Sequence, residues 1–234
     1  MSTDFLSTLA DDDLQIRAAT AGNRAFNALR QAIVQLQLRP GSPLSEVEVA
    51  RQLGVSRQPV REAFIKLAEV GLVEIRPQRG TFVKLISLAE VENARFLREA
   101  IEIAIVHQAA RQATPADVQK LRSIIAEQAA LDEADNLNFL RLDEAFHQTI
   151  AGLANREHAW RVLENLRAQM DRVRFLSLPD ATPLDVIVDQ HRRIVDAIEA
   201  GDASLADEAM RVHLHEVLNA VPKLAKKFPD LFCS

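Results

Sequence analysis

Apolar residues recur along most of the chain at the three- and four-residue spacing of an amphipathic helix, and from residue 88 onward no strand pattern interrupts them. Val91, Ala94, Arg98, Ile101 and Ile105 form the inner stripe of a first helix, opened by Ser87 and Glu90 as a capping box. Thr114-Pro115-Ala116-Asp117 opens a second by capping and by proline in the first turn, and that helix ends near Asp135-Asn136. A third covers Leu137 to Ala151 and closes at Gly152. A fourth covers Arg156 to Leu176, stopped by the segment up to Pro179. Thr182-Pro183-Leu184-Asp185 opens a fifth that ends at Gly201, and Asp202 caps a sixth running to about Val221, before Pro222. Six antiparallel helices make a bundle, an architecture that places sites between helices.

The pattern is different before residue 88. Ser45 and Glu48 have capping-box spacing, and Val49, Ala50 and Leu53 give a short helix its inward face until Gly54 ends it. Ser56 stands where a cap opens the next helix, Pro59 falls in its first turn, Val60, Phe64 and Leu67 face the first helix, and Gly71 supplies the stop. Arg57, Gln58 and Arg61 are left pointing outward from the N-terminal turn, the end that enters the major groove in a helix-turn-helix. Two β-prone runs, Leu72–Ile75 and Thr81–Leu85, flank Arg76-Pro77-Gln78-Arg79-Gly80, a two-stranded wing with a basic tip. The alternative for this segment is a structural helical hairpin with solvated arginines.

The predicted fold is thus mainly α, an N-terminal winged helix-turn-helix over 22–85 and a C-terminal six-helix antiparallel bundle over 88–221. Ile86-Ser87 is a short linker, 1–21 a mobile arm and 222–234 a C-terminal tail. Charge supports the division: residues 22–84 hold ten Lys or Arg against five Asp or Glu, and residues 85–234 hold seventeen against twenty-four. A basic head on an acidic body is the electrostatic footprint of a DNA binder. Cys233 is the single cysteine, so no intramolecular disulfide forms. With neither a signal-peptide pattern nor an apolar run of about 20 residues, a cytoplasmic protein without membrane contact is expected.

The bundle carries a second constellation. Asp143 and His147 are four residues apart and share one helix face with Leu140, Ile150 and Ala151. His191 lies on the stripe of Ile187, Val188, Ile194, Val195 and Ile198, and His213 sits with Ala206, Ala209, Met210 and Val217. Each histidine alone reads as a satisfied core residue. Together, four groups from three helices point inward, and mixed imidazole and carboxylate ligation suits zinc, nickel, cobalt, iron or manganese. A tetrahedral ion would be closed and structural; a six-coordinate one would leave room for a bidentate carboxylate. His107, His158 and His215 lack this placement. Arg98, a cation on an apolar face, needs an anion: Glu102 one turn on, another internal carboxylate, or a bound organic acid. The Glu164-Asn165-Leu166-Arg167 group and Arg172 with Arg174 are further candidates for the same cavity.

The run from Asn23 to Leu85, with PGSPLSE, LGVSRQPVREAF and LAEVGLVEIRPQRGTFV, resembles the N-terminal domain of GntR-type bacterial transcription regulators. That resemblance implies base approach by Arg57, Gln58 and Arg61, with Ser56, Arg79 and Gly80 near backbone or minor groove. Gln58 stands where the family usually has threonine, which implies a shifted operator preference. Asp143 with Phe146 and His147, then QHRRIVDAI, then AMRVH, is similar to the FCD effector domain of the FadR subfamily. This implies a divalent metal, with zinc, nickel or manganese expected, held by Asp143, His147, His191 and His213. It also implies an effector-contacting Arg98 within FLREAIE. The implied protein is no enzyme. It is a homodimeric, metabolite-responsive regulator, commonly a repressor, that binds a pseudo-palindromic duplex operator and is released by a small carboxylate metabolite. Two alternatives remain open at this point: a metal-dependent hydrolase or isomerase, and a constitutive DNA-binding protein with a structural metal.

Overall fold

The computed structural model describes residues 21–132, 135–166, 168–178 and 183–233. The expected arm, apart from Ala21, lies outside these residues, as do Arg167, Pro179 and Thr182, and so do the side chains of Glu164, Asn165 and Val217. The chain divides into two compact units with boundaries after Ser87 and after Pro229, the final residues rejoining the first unit.

The first unit opens with α1 (Ala21–Val34), which buries Ala25, Ala28, Leu29, Ala32 and Ile33 and packs on the third helix of the unit. Strand β1 (Pro43–Leu44) precedes α2 (Glu46–Gln52), whose N-cap Ser45 accepts from the Glu48 backbone N–H, while the Glu48 carboxylate accepts from Arg51 and Gln52. Gly54, at φ 63°, makes the turn into α3 (Arg57–Glu69), and Gly71, at φ 73°, follows its end; both lie in the left-handed region that glycine enters without steric cost. Ser56 caps α3 with extended backbone and no side-chain hydrogen bond. Val60, Ala63, Phe64 and Leu67 are buried along α3.

The wing is β2 (Val73–Arg76) and β3 (Gly80–Val83), antiparallel, with Ile75 opposite Thr81. A third strand joins them: β1 pairs with β3, Pro43 opposite Phe82, giving the order β1-β3-β2. Ile86-Ser87, expected as a linker, is a strand, β4, and pairs in parallel with β5 (Phe232–Cys233). Leu231 and Phe232 are buried there with Ile86. The expected tail is therefore corrected: its last residues complete the first unit, because burying two large apolar side chains outweighs leaving them in water.

The second unit is all helical: α4 (Leu88–Gln112), α5 (Pro115–Ala129), α6 (Asn136–Leu153), α7 (Glu157–Leu166), α8 (Ala168–Ser177), α9 (Leu184–Glu199) and α10 (Ala203–Lys227). The segments α7 and α8 take the place of the expected fourth helix on either side of position 167, α8 running one residue past Leu176. Thr114 and Asp117 form the full capping box of α5, which ends at Ala129 rather than near Asp135; Asp135 instead caps α6. Gly152 does not close α6. The left-handed residue is Asn155, at φ 53°, while Ala151 and Ala154 stay buried and keep the last turn packed. Nor does Pro222 end the last helix. Burial of Ala220 and Leu224 on either side, with the Phe228 N–H bonded to the Leu224 carbonyl, offsets a proline penalty of about 3 kcal/mol, so α10 continues to Lys227.

The core of this unit gathers Phe139, Phe146, Ile150, Trp160, Ile194, Ile198, Met210 and Leu214. Helix α4 packs on α6, α8, α9 and α10, so residues on its inner face meet the faces of α6, α9 and α10 that carry the expected ligands. No described helix is long and apolar enough to cross a membrane.

Candidate metal centre and nucleic-acid interface

Asp143 and His147 project one turn apart from α6, His191 from α9 and His213 from α10, and all four are buried. One ligand atom from each lies within 4.8 Å of all the others. His147 Nε2 is 3.1 Å from His213 Nε2, His191 Nε2 is 3.6 Å from Asp143 Oδ1, and His147 Nε2 is 3.9 Å from Asp143 Oδ2. Phe146 stacks on the His191 ring at 4.1 Å between centroids and fixes its plane.

His191 and His213 are hydrogen-bonded from behind through Nδ1, and the Glu102 carboxylate lies against Nδ1 of His147. Glu102 Oε2 is 2.5 Å from His147 Nδ1, Gln128 Oε1 is 2.8 Å from His191 Nδ1, and Gln190 Oε1 is 3.1 Å from His213 Nδ1. An oxygen at Nδ1 selects the tautomer that carries its proton there and leaves the Nε2 lone pair for an ion. Among the described residues, His191 Nε2 and both Asp143 oxygens are buried without a hydrogen-bond partner, although the Arg174 guanidinium forms an ion pair with Asp143 Oδ2. Orphaned acceptors at the centre of a charged cluster are what a cation satisfies, and this donor set fits a divalent ion of intermediate hardness.

The electrostatics agree. Burial lowers the His191 pKa to about 3 and pushes that of His213 well below its ordinary value, His191 and His147 adding to the second shift, so both rings are neutral at pH 7. For Asp143, burial opposes ionisation, but Arg174 and then the histidines outweigh it and hold the carboxyl well below the usual range. In Glu102 burial is likewise overcome, by Arg98 and then His147. The site thus offers the neutral imidazoles of His191 and His213 and one carboxylate without a proton having to leave.

Arg98 is 2 % exposed, ion-paired to Glu102, with Nη2 3.2 Å from His147 Nε2. It lines a cavity of about 20 Å³ with Arg174, Ser177, Ile187, His213 and Glu216, roughly room for one water. Among the other histidines, His107 Nδ1 lies 3.0 Å from Asp207, and His215 is exposed with Nδ1 against the Arg211 carbonyl. Sequence reasoning missed Gln128 and Gln190 and left Arg174 undecided. Gln128 had a visible signal, since it continues the apolar stripe of Val118, Leu121 and Ile125.

In the first unit Ser56, Arg57, Gln58 and Arg61 are all exposed at the N-terminal turn of α3, and Arg79 and Gly80 at the wing tip. The wing turns through Gln78 at φ 61° and Gly80 at φ 100°, with Arg76 over the Phe82 ring at 4.8 Å. This turn of α3 is not loose. Glu46, the first residue of α2, accepts from Arg57 Nη2 at 3.0 Å and from Arg61 Nε and Nη2 at 3.1 and 3.0 Å, and Gln58 donates to Glu62 at 3.1 Å. Arg61 lowers the Glu46 pKa, with Arg57 next.

Comparison with known proteins covers both units. Residues 21–83 match the family described as bacterial regulatory proteins, gntR family, and residues 94–216 match the FCD domain. The HTH-type transcriptional repressor RspR of Escherichia coli (strain K12) is 41 % identical over 208 residues, 88 % of this chain and 91 % of that protein. A putative GntR transcriptional regulator from Rhodococcus sp. RHA1 is similar in structure, with a TM-score of 0.70, 25 % identity, and coverage of 86 % of this chain and 97 % of that one. The fold is also that of E. coli McbR/YncC, with a TM-score of 0.75, 20 % identity, and coverage of 90 % and 99 %.

Proposed function

The chain belongs to the gntR family of bacterial regulatory proteins, carries an FCD domain and is a DNA-binding transcription regulator rather than an enzyme; we propose that a small organic acid, seated against a divalent ion in the helical unit, sets its operator affinity. The observation that carries this reading is the cluster of four buried ligand atoms within 4.8 Å, with His191 and His213 tied back through Nδ1. Asp143, His147, His191 and His213 hold the ion. When bound, it supplies Lewis acidity toward a carboxylate oxygen.

Arg98 and Arg174 grip the other end of the acid. Both line the same cavity and both are already paired, with Glu102 and Asp143 respectively. Once Asp143 is committed as a ligand, Arg174 shares its anion with a cation and is available to another carboxylate. A rotamer change of either arginine enlarges a cavity that is otherwise about the size of one water.

The DNA-reading face is the α3 turn of Ser56, Arg57, Gln58 and Arg61, with Arg79 and Gly80 on the wing. A cytoplasmic homodimer presents two such faces to a pseudo-palindromic operator. The acid releases DNA by binding the DNA-free arrangement more tightly, since only unequal affinity for two states moves their balance.

The test is a titration of the full chain, metal-loaded and chelated, with a panel of mono- and dicarboxylic acids from two to six carbons. Thermal stability and affinity for a duplex selected from a random library are both read. At least one acid should stabilise the loaded protein alone and weaken its hold on DNA. Equal acid affinity in the chelated protein, or DNA affinity that no acid changes, overturns the reading.

A further inference from the structure

We propose that Glu46 is a specificity-determining residue of the DNA-reading surface: it holds Arg57 and Arg61 as one fixed fork and, through its charge, weakens binding to unrelated sequence. The inference rests on the reading of α3 as the helix that enters the major groove.

Arg57 and Arg61 are one turn apart on α3 and so project side by side. Glu46 comes from a different helix, α2, and is the group that meets both. Its three contacts engage the Nε and Nη2 edge of Arg61 and one Nη of Arg57. In Arg61 this leaves the end-on Nη1 and Nη2 pair directed away from Glu46. That pair has the geometry of the bidentate contact to guanine O6 and N7. An arginine reaching a base from solvent must first lose its rotamer freedom, and a guanidinium already fixed by a carboxylate loses less.

Stability does not account for this carboxylate. Exposed ion pairs contribute little to folding, and the arginine side chains here are more than half exposed. Nor does affinity, because a negative charge beneath a surface that meets phosphate opposes the sequence-independent attraction that dominates DNA binding. A group that costs general affinity while fixing two base-reading side chains raises the ratio of specific to non-specific binding. Gln58 is also tied to a carboxylate, that of Glu62 one turn on along α3 itself.

The experiment uses the full chain, a duplex selected from a random-sequence library on the wild type, and a shuffled duplex of the same composition, compared by fluorescence anisotropy at one salt concentration. Glu46→Gln should bind the shuffled duplex more tightly and the selected duplex less tightly, lowering the ratio by about tenfold or more. Glu46→Asp keeps the charge and withdraws the reach, so the ratio should fall without any gain on the shuffled duplex. In an Arg61→Ala background the effect of Glu46→Gln on the ratio should shrink to less than half. An unchanged ratio in both Glu46 variants overturns the proposal, as does equal tightening on both duplexes, which is charge repulsion alone. If Arg57→Ala and Arg61→Ala also leave the ratio unchanged, the assignment of α3 falls with it; if they lower it while Glu46 variants do not, only the role of Glu46 falls.

Discussion

The side-chain oxygen of Gln128 lies 2.8 Å from Nδ1 of His191, and this contact decides which nitrogen of that ring faces Asp143. Nδ1 carries the proton, so Nε2 is left as a buried acceptor 3.6 Å from the Asp143 carboxylate. Replacing Gln128 with Leu keeps the apolar packing on α5 and removes that control. Zinc affinity, measured by competition with a chromophoric chelator, should fall by about 10- to 100-fold with helix content unchanged. Wild-type affinity would show that Gln128 does not position the ligand.

Arg57→Ala and Arg61→Ala should each reduce discrimination between a selected and a shuffled duplex by about 1–3 kcal/mol, the value of a bidentate base contact. Both positions are exposed, so thermal midpoints should move little. Retained discrimination in both variants contradicts the assignment of α3.

Removal of residues 230–234 takes β5 away from β4 and uncovers Ile86, which is fully buried. Leu231 and Phe232 are lost with it, side chains whose burial is worth about 1.5–3 kcal/mol each. Urea unfolding of the truncated chain should show the first unit melting earlier. An unchanged midpoint would mean that the β4–β5 pair adds nothing to stability.

Acid should destabilise the metal-free protein well above the carboxylate range. The folded His191 titrates near 3 because burial disfavours its charged form, and His213 is shifted in the same direction. Both titrate near 6.5 when unfolded. Below that value the unfolded chain binds protons that the folded chain does not, so stability is fully present above pH 6.5 and is lost as pH falls, for His191 toward 3. The slope approaches about 1.4 kcal/mol per pH unit for each histidine. Depressed Asp143 and Glu102 act in the same sense below about pH 4. Chemical denaturation at pH 7 and pH 5 reads this directly, and equal stabilities would place these rings in contact with water.

Much of this arrangement was visible in the residues because its causes are local. Helical spacing alone put Asp143 and His147 on one face and His191 on an apolar stripe, and Gly54 and Gly71 announce turns that demand a left-handed residue. What was hidden depends on tertiary contact. No spacing rule joins Arg174 to Asp143 across two helices, or Glu46 to Arg61 fifteen positions on. Strand β5 has no pattern of its own, since two residues are shorter than any alternation. Gly152 and Pro222 misled for the opposite reason: each is a strong local signal, overruled by the buried residues around it.

One ion is expected among Asp143, His147, His191 and His213. Anomalous diffraction from a crystal of the full chain grown with zinc tests it most directly. A single strong peak is expected, bonded to Nε2 of all three histidines and to an Asp143 oxygen, and absent from His191→Ala. A peak elsewhere, or coordination through Nδ1, would contradict it.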